Sequence, residues 1–401
     1  MPTDTTTVPR STAPRRWPDD PAQGGWYSAA ELAAVQEAMA DSLPWQTGWR
    51  GKEHIAAFED AFADKTRSRH AVAFNGGGPA LEMVLNCLDL QPGDEVISCA
   101  LNFVGTHLPV IHQGGDLVLA EPDPLTLNLD PADVARRLTD HTRAILVTHW
   151  NGLAADLRPF LDLAQRHPHP HHGPPVVIVD AARACGGTTP AGLPVGAEGW
   201  ATIFSFETKK LMTTLGQGGM VTTGDARLAD RLRHLRTYGL SRQWGTNQQL
   251  TKMQAAVGLI QLERLDEMNT ARVNRAHQRS RLLHGIPHLM LPPLLHGGQH
   301  LYYRYNLLVP EAWAGAGRDA LMEVLADQYG LGSIINDPPT YASHDYIRAH
   351  TGSQTCPRAE QLAARLFCPC LHPRIGDADE REICEAIRKA TDQVARTFAA
   401  P

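Results

Sequence analysis

The sequence predicts an α/β protein: a mostly parallel seven-stranded sheet with helices on both faces, followed by a small C-terminal α+β domain. Three observations carry this expectation. Seven short apolar runs, at 71–74, 95–99, 116–120, 144–148, 176–179, 202–205 and 219–222, read as buried strands. Segments of helical spacing lie between several of them, including 80–87, 131–137 and 157–166. Runs that are apolar on both faces and separated by crossovers are the mark of a parallel sheet covered on both sides. A proline-rich break at 287–293 then ends this pattern.

In chain order, residues 1–25 are rich in Thr, Pro, Arg and Asp without periodicity and are expected to form a flexible arm. A large domain is expected over 26–283. It opens on a helix at 28–39, with Ser28 and Glu31 spaced as a capping box. A second helix at 54–62 places Ile55, Phe58 and Phe62 on one face. After the strands, 251–283 reads as one long helix that bridges to the small domain expected over 284–401.

The 401 residues are 43% hydrophobic and 20% charged, which suits a chain burying a large core in two domains. A net charge of −6 and a pI near 6.3 argue against nucleic acid or an anionic membrane as partner. No apolar run approaches the roughly 20 residues a membrane helix needs, and the N-terminus lacks the apolar stretch of a secretory signal. The seven cysteines are scattered, odd in number and without a CxxC pair. They point to a reduced, cytoplasmic protein without a disulfide framework or zinc site.

Ligands of such sheets bind beyond the carboxyl ends of the strands, and chemistry-bearing residues collect there. Phe204-Ser205-Phe206-Glu207-Thr208-Lys209-Lys210 carries two lysines from a strand into a Gly-rich turn, Gly216-Gln217-Gly218-Gly219. Burial disfavours an ammonium, and a neutral amine can form a Schiff base. Val176-Val177-Ile178-Val179-Asp180 ends a buried strand in an acid, which needs a cationic partner. An acid for a pyridine nitrogen and an amine for an imine are the two protein groups that pyridoxal 5'-phosphate requires. Asn75-Gly76-Gly77-Gly78-Pro79 follows a strand and opens a helix, where backbone N–H groups can meet an anion, although a plain tight turn has the same signature.

Together these residues resemble the DegT/DnrJ/EryC1/StrS-type aminotransferases, sugar and cyclitol enzymes of fold type I. The family pattern is Ser-Phe, three residues, Lys, then a stretch ending Gly-Glu-Gly-Gly. Here it reads Ser205-Phe206, Lys210 and Gly216-Gln217-Gly218-Gly219. The resemblance runs from about Gly51 to the C-terminus. It implies pyridoxal 5'-phosphate as cofactor, Lys210 rather than Lys209 as the Schiff-base lysine, and Asp180 on the ring nitrogen. Gly77, Gly78 and Ser205 would hold the phosphate, and Phe103, in Leu101-Asn102-Phe103-Val104-Gly105-Thr106, would stack on the ring. Asn247, in Trp244-Gly245-Thr246-Asn247-Gln248-Gln249, would reach the phosphate across a homodimer interface. Arg183 stands where the family has Gln or His near the cofactor's phenolic oxygen. It could hold that oxygen or a substrate anion, or lie on the surface.

The implied reaction moves an amino group from glutamate or glutamine to a keto sugar or keto cyclitol, in secondary metabolism. Gly78, Arg183, Gln249 and Leu211 depart from the family pattern and point to an unusual acceptor. A lyase, dehydratase or aromatase on the same scaffold, or a non-catalytic regulatory protein, are the alternatives; the dehydratases replace the lysine that Lys210 retains. His149 reads as a structural group. No metal is expected, since the prolines in His167-Pro168-His169-Pro170-His171-His172 prevent one compact face, and Cys368-Pro369-Cys370 reads as buried strand. His300-Leu301-Tyr302-Tyr303 and Asn336-Asp337 are plausible contacts for the acceptor.

Overall fold

The computed structural model describes residues 16–21, 26–46, 48–293 and 297–398. Its centre is a seven-stranded sheet: β1 His70–Phe74, β2 Glu95–Cys99, β3 Asp116–Ala120, β4 Thr142–Thr148, β5 Val176–Asp180, β6 Ala201–Ser205 and β7 Gly219–Thr223. Their spatial order is β1-β7-β6-β5-β4-β2-β3. Strand β7 is antiparallel to both neighbours, and the other pairings are parallel. Six strands therefore end on one edge, and Asn75, Asp180 and Ser205 lie there as the sequence pattern predicts. Strands β4 and β6 are buried along their whole length, the pattern of strands covered on both faces.

Helices α1 Ala29–Ala40, α2 Lys52–Thr66, α3 Gly77–Asn86, α4 Val104–His112, α5 Pro131–Arg137, α6 Arg158–Arg166 and α7 Ala226–Leu235 accompany the sheet. The capping box at Ser28 and Glu31 forms. Helix α8, Lys252–Leu282, opens on a second capping box at Thr251 and Gln254. Its Leu262, Leu265 and Met268 enter the core around the sheet, and its Ala276 enters a second core. That second core gathers α9 Ala316–Tyr329, α13 Asp377–Phe398 and a three-stranded sheet of order β8-β10-β9, with β8 Leu307–Leu308, β9 Ser333–Ile334 and β10 Leu366–Pro369. Short helices α10 Thr340–Ser343, α11 Asp345–Thr351 and α12 Pro357–Arg365 lie between β9 and β10.

Of the arm expected over 1–25, residues 1–15 and 22–25 lie outside the described residues. Residues 16–21 are packed, not free. Trp17 is buried in the second core and makes a parallel bridge with Leu331. Its N–H donates to Gly330 O at 3.0 Å, and its carbonyl accepts from Gly332 N at 2.8 Å. A Cβ on Gly332 would come within 2.4 Å of Asp19 N, so glycine there lets the segment lie flush. The sequence of the arm carries no sign of this, because the docking surface is three hundred residues away.

Candidate active site

The lysine turn is fixed from below. Phe206, fully buried, packs its ring against Phe58 and Phe62 at centroid distances of 5.6 Å. Phe206 N donates to Gly218 O at 2.8 Å and Lys210 N to Glu207 O at 2.8 Å. Two glycines close the turn by necessity. A Cβ on Gly218 would meet Thr214 Oγ1 at 2.1 Å, and one on Gly219 would meet Gly76 O at 2.5 Å. Gly219 pairs with both Phe74 and Ser205, so its bare Cα lets the Gly76–Gly77 backbone rest on the sheet.

This contact brings together two predicted site residues. A Cβ on Gly77 would lie 2.9 Å from Ser205 Cβ, whereas one on Gly78 would meet nothing within 4 Å. Ser205 is therefore packed beside the first turn of α3, with open space over Gly78. Backbone N–H groups at a helix start with a hydroxyl beside them suit an anion.

The two lysines have opposite surroundings. Lys209 Nζ donates to Asp20 Oδ2 at 2.6 Å. Lys210 is half-buried, and among the described residues no group forms a hydrogen bond or ion pair with its amine; Nζ lies 5.3 Å from the Tyr303 ring centroid. Burial first, and the Arg183 charge second, push its ammonium down to about 8 from 10.5, against the opposing pull of Asp180, Glu207 and Asp337.

Asp180, at the end of β5, is fixed by two hydrogen bonds. Thr106 Oγ1 donates to Oδ2 at 2.7 Å, and Ala182 N donates to Oδ1 at 3.0 Å. Thr106 belongs to α4, whose N-cap is Phe103. The bond thus registers the predicted aromatic against the predicted acid. Phe103 is 55% exposed, so it is not a core residue; Leu101 and Asn102 beside it are buried. Thr106 had been visible only as the last member of its motif.

Arg183 is buried and not on the helix surface. Its Nη1 bonds Asp337 Oδ2, and its Nη2 donates to Asp337 Oδ1 at 3.0 Å. Burial would raise the Asp337 carboxyl, but Arg183, with help from Arg304 and Lys210, holds it below the usual range. Tyr303 is the hub. Arg183 Cζ at 5.1 Å, Arg304 Cζ at 5.3 Å and Lys210 Nζ at 5.3 Å all approach its ring. The segment carrying Tyr303 is zipped to the end of β4 by Leu301 N to Gly152 O at 2.8 Å and Tyr303 N to Asn151 O at 3.1 Å. The positive φ of Gly152, with Arg183 O 2.8 Å from a Cβ built there, admits no side chain. Arg304, which carries no sequence signal, donates to Asn336 Oδ1 at 2.6 Å and to Asp20 at 3.1 Å.

The remaining predicted residues sort cleanly. His149 is structural: its Nδ1 accepts from Ala155 N at 3.1 Å, and burial pushes it down to about 4, so it is neutral. Asn247 is exposed and bridges backbone to Thr237, while Gln248 O next to it accepts from Asn75 N at 2.9 Å. Cys368 lies on β10 and donates to Asn306 Oδ1 at 2.9 Å. The histidine tract turns through a backbone bridge between His169 and Gly173.

Comparison with known proteins agrees with this geometry. The spore coat polysaccharide biosynthesis protein SpsC of Bacillus subtilis is 34% identical over 340 residues, covering 80% of this chain and 85% of that protein. GDP-perosamine synthase of Caulobacter vibrioides is 38% identical over 332 residues, with 80% and 85% covered. The crystal structure of DesV from Streptomyces venezuelae, in complex with a ketimine intermediate, superposes with a TM-score of 0.82 at 32% identity, covering 94% of this chain and 99% of that one. The DegT/DnrJ/EryC1/StrS aminotransferase family pattern matches residues 28–388. With that match, and with relatives of this identity along most of its length, the chain belongs to the DegT/DnrJ/EryC1/StrS aminotransferase family.

Proposed function

We propose that this aminotransferase transfers an amino group from glutamate or glutamine to a keto sugar or keto cyclitol, with Lys210 and Asp180 as its catalytic residues. Enzymes of the family depend on pyridoxal phosphate, and the residues present fit that group. The open space over Gly78 beside Ser205, the half-buried Lys210 amine, which has no hydrogen-bond partner among the described residues, and the fixed carboxyl group of Asp180 are the features that support the fit. Gly77, Gly78 and Ser205 would hold its phosphate, Phe103 its ring face, Asp180 its ring nitrogen and Lys210 its aldehyde carbon. Bound there, the cofactor supplies an electron sink for negative charge on the carbon bearing the amino group.

The residues of the chain do the rest. Asp180, held on both oxygens by Thr106 Oγ1 and Ala182 N, would face the ring nitrogen. Lys210 can be neutral near physiological pH, and its Nζ would then accept a proton from the donor's α-carbon. Arg183 and Tyr303 border the amine, and their polar groups suit a substrate oxygen. The carrying observation is the contrast between the two lysines: one is ion-paired to Asp20, and the other has no hydrogen-bond or ion-pair partner among the described residues and its ammonium is lowered by burial.

A homodimer completes the reading. Leu43 and Trp45, 78% and 86% exposed, lie in the stretch before α2, and Tyr238, Leu240 and Trp244 lie exposed ahead of α8. Lys252 Nζ donates to Ser42 Oγ at 3.2 Å, which ties the first of these segments to the start of α8, near Asn247. Exposed apolar groups of this size mark an interaction surface, and Asn247 would enter the partner's site from it. A cytoplasmic setting in secondary metabolism accords with the seven free cysteines and the sugar-related relatives.

The test is a panel of nucleotide sugars, free keto sugars and ketocyclitols with glutamate or glutamine. Stoichiometric α-keto acid and an aminated product are expected with an unusual acceptor from this panel. Ordinary turnover of a 4-keto nucleotide sugar would remove the case for an unusual acceptor, and elimination without α-keto acid would contradict transfer altogether.

A further inference from the structure

The segment 16–21 brings one carboxylate, that of Asp20, to the edge of the site. Trp17 anchors it in the second core, and Asp20 then bridges two elements. It accepts from Lys209 Nζ at 2.6 Å, on the lysine turn. Both its oxygens accept from Arg304 Nη2 at 3.1 Å. Arg304 in turn donates to Asn336 Oδ1 and faces the Tyr303 ring. Asn336 Oδ1 also receives Arg183 Nη1 at 3.4 Å. A continuous chain of polar contacts thus runs from Lys209 through Asp20, Arg304 and Asn336 to Arg183.

We propose that Asp20 is a positioning residue of this site: it holds the Lys209 amine away from the reacting groups and fixes Arg304 against Tyr303, so that Lys210 alone presents an amine there. Several features support it. The bridge joins groups from the N-terminal segment, the sheet edge and the second core, so no single element could keep this arrangement. Asp20 is mostly buried, at 17% side-chain exposure, which limits screening by salt. Arg304 and Lys209 outweigh burial and hold the Asp20 carboxyl below its ordinary range, so it is charged at neutral pH. Two adjacent amines on one turn can compete for one carbonyl unless one of them is held elsewhere, and the Asp20 contact holds Lys209.

The proposal rests on the reading of Lys210 as the cofactor-holding lysine, and the test separates the two. Cofactor-free protein is acetylated with an amine-selective ester at neutral pH, and the lysines are mapped by peptide mass. In Asp20→Asn, Lys209 is expected to react roughly two- to fivefold faster than in the unaltered protein, the range an ion pair of this exposure gives. The kcat for transamination is expected to fall roughly tenfold through mispositioning, with the donor KM little changed. Asp20→Glu should restore both. Arg304→Met, which removes the bridge from its other end, should lower kcat similarly and serves if Asp20→Asn does not fold. Lys209 labelling unchanged in Asp20→Asn, with the cofactor reductively fixed on Lys210, overturns the role of Asp20. A cofactor fixed on another residue of the unaltered protein overturns the lysine assignment instead.

Discussion

Two buried arginine–carboxylate pairs, one at the site and one in the second core, use the same chemistry to different ends. Arg279 and Glu380 are both fully buried, joined by Nε to Oε1 at 2.5 Å and Nη2 to Oε2 at 3.1 Å, with Nη1 donating to Cys370 O at 2.8 Å. Every strong donor and acceptor is answered within the pair and its immediate neighbours, and the effect is to brace α8 against α13. Arg183 and Asp337 also make a two-point pair, end-on through Nη1 and Nη2, but it opens onto Lys210 and Tyr303. Its field is not closed on itself: Arg183 lowers the Lys210 ammonium and Asp337 raises it. A buried charge pair closed on itself is architecture, whereas one left open beside an amine sets that amine's proton affinity.

The comparison breaks or sharpens on four expected outcomes. The largest effect is expected at the group the open pair serves. Lys210→Ala should lower transamination by roughly 10⁴-fold, the scale of a lost proton-transfer group, while the melting temperature of the cofactor-free protein holds or rises. Next, Glu380→Ala should cost about 3–5 kcal/mol of stability in denaturant unfolding, since it leaves Arg279 buried and alone. The protein that remains folded should keep its kcat. A large loss of kcat there would mean that the second core is not merely a brace.

The third outcome concerns pH. The Lys210 ammonium titrates near 8 when folded, against 10.5 as its ordinary value. Below about 8 the folded chain must bury a charge that the unfolded chain keeps in water. Between these values the unfolded state binds more protons, so stability rises with pH. Cofactor-free protein should gain on the order of 3 kcal/mol between pH 8 and 10.5 relative to Lys210→Met. Equal slopes in the two proteins would contradict the burial of the amine. The smallest effect is expected from Asp337→Asn. Removing that negative charge should move the Lys210 acylation midpoint below about 8 and lower kcat roughly tenfold. If it changed stability alone, the two pairs would be equivalent and the distinction would fail.

Much of this was legible in the sequence, for identifiable reasons. Strands β2 and β3 were read to the residue, because in each a short, mostly apolar run starts at an acid, Glu95 or Asp116. The site residues at strand ends followed, because such sheets place their ligands there. The resemblance to the family pattern pointed to Lys210 rather than Lys209, and their different surroundings support the same choice. What the sequence hid was long-range. Helix α4 contains Pro109 and has no side-chain cap, so its carriage of Thr106 to Asp180 had no local signal. The segment 360–367 divides into the end of α12 and the start of β10 at Leu366, where pairing with β8 decides the conformation. Asp20 sits in a stretch without periodicity, and its importance comes from Leu331, Arg304 and Lys209, none near it in sequence. Arg183 and Asp337 were each singled out in the sequence, but only the fold supplies their pairing.

The most direct measurement is borohydride reduction of the protein saturated with pyridoxal phosphate, followed by peptide mass mapping. The account predicts one pyridoxyl adduct, on Lys210, lost in Lys210→Ala and retained in Lys209→Met. An adduct on Lys209, or undiminished labelling and activity in Lys210→Ala, would contradict it.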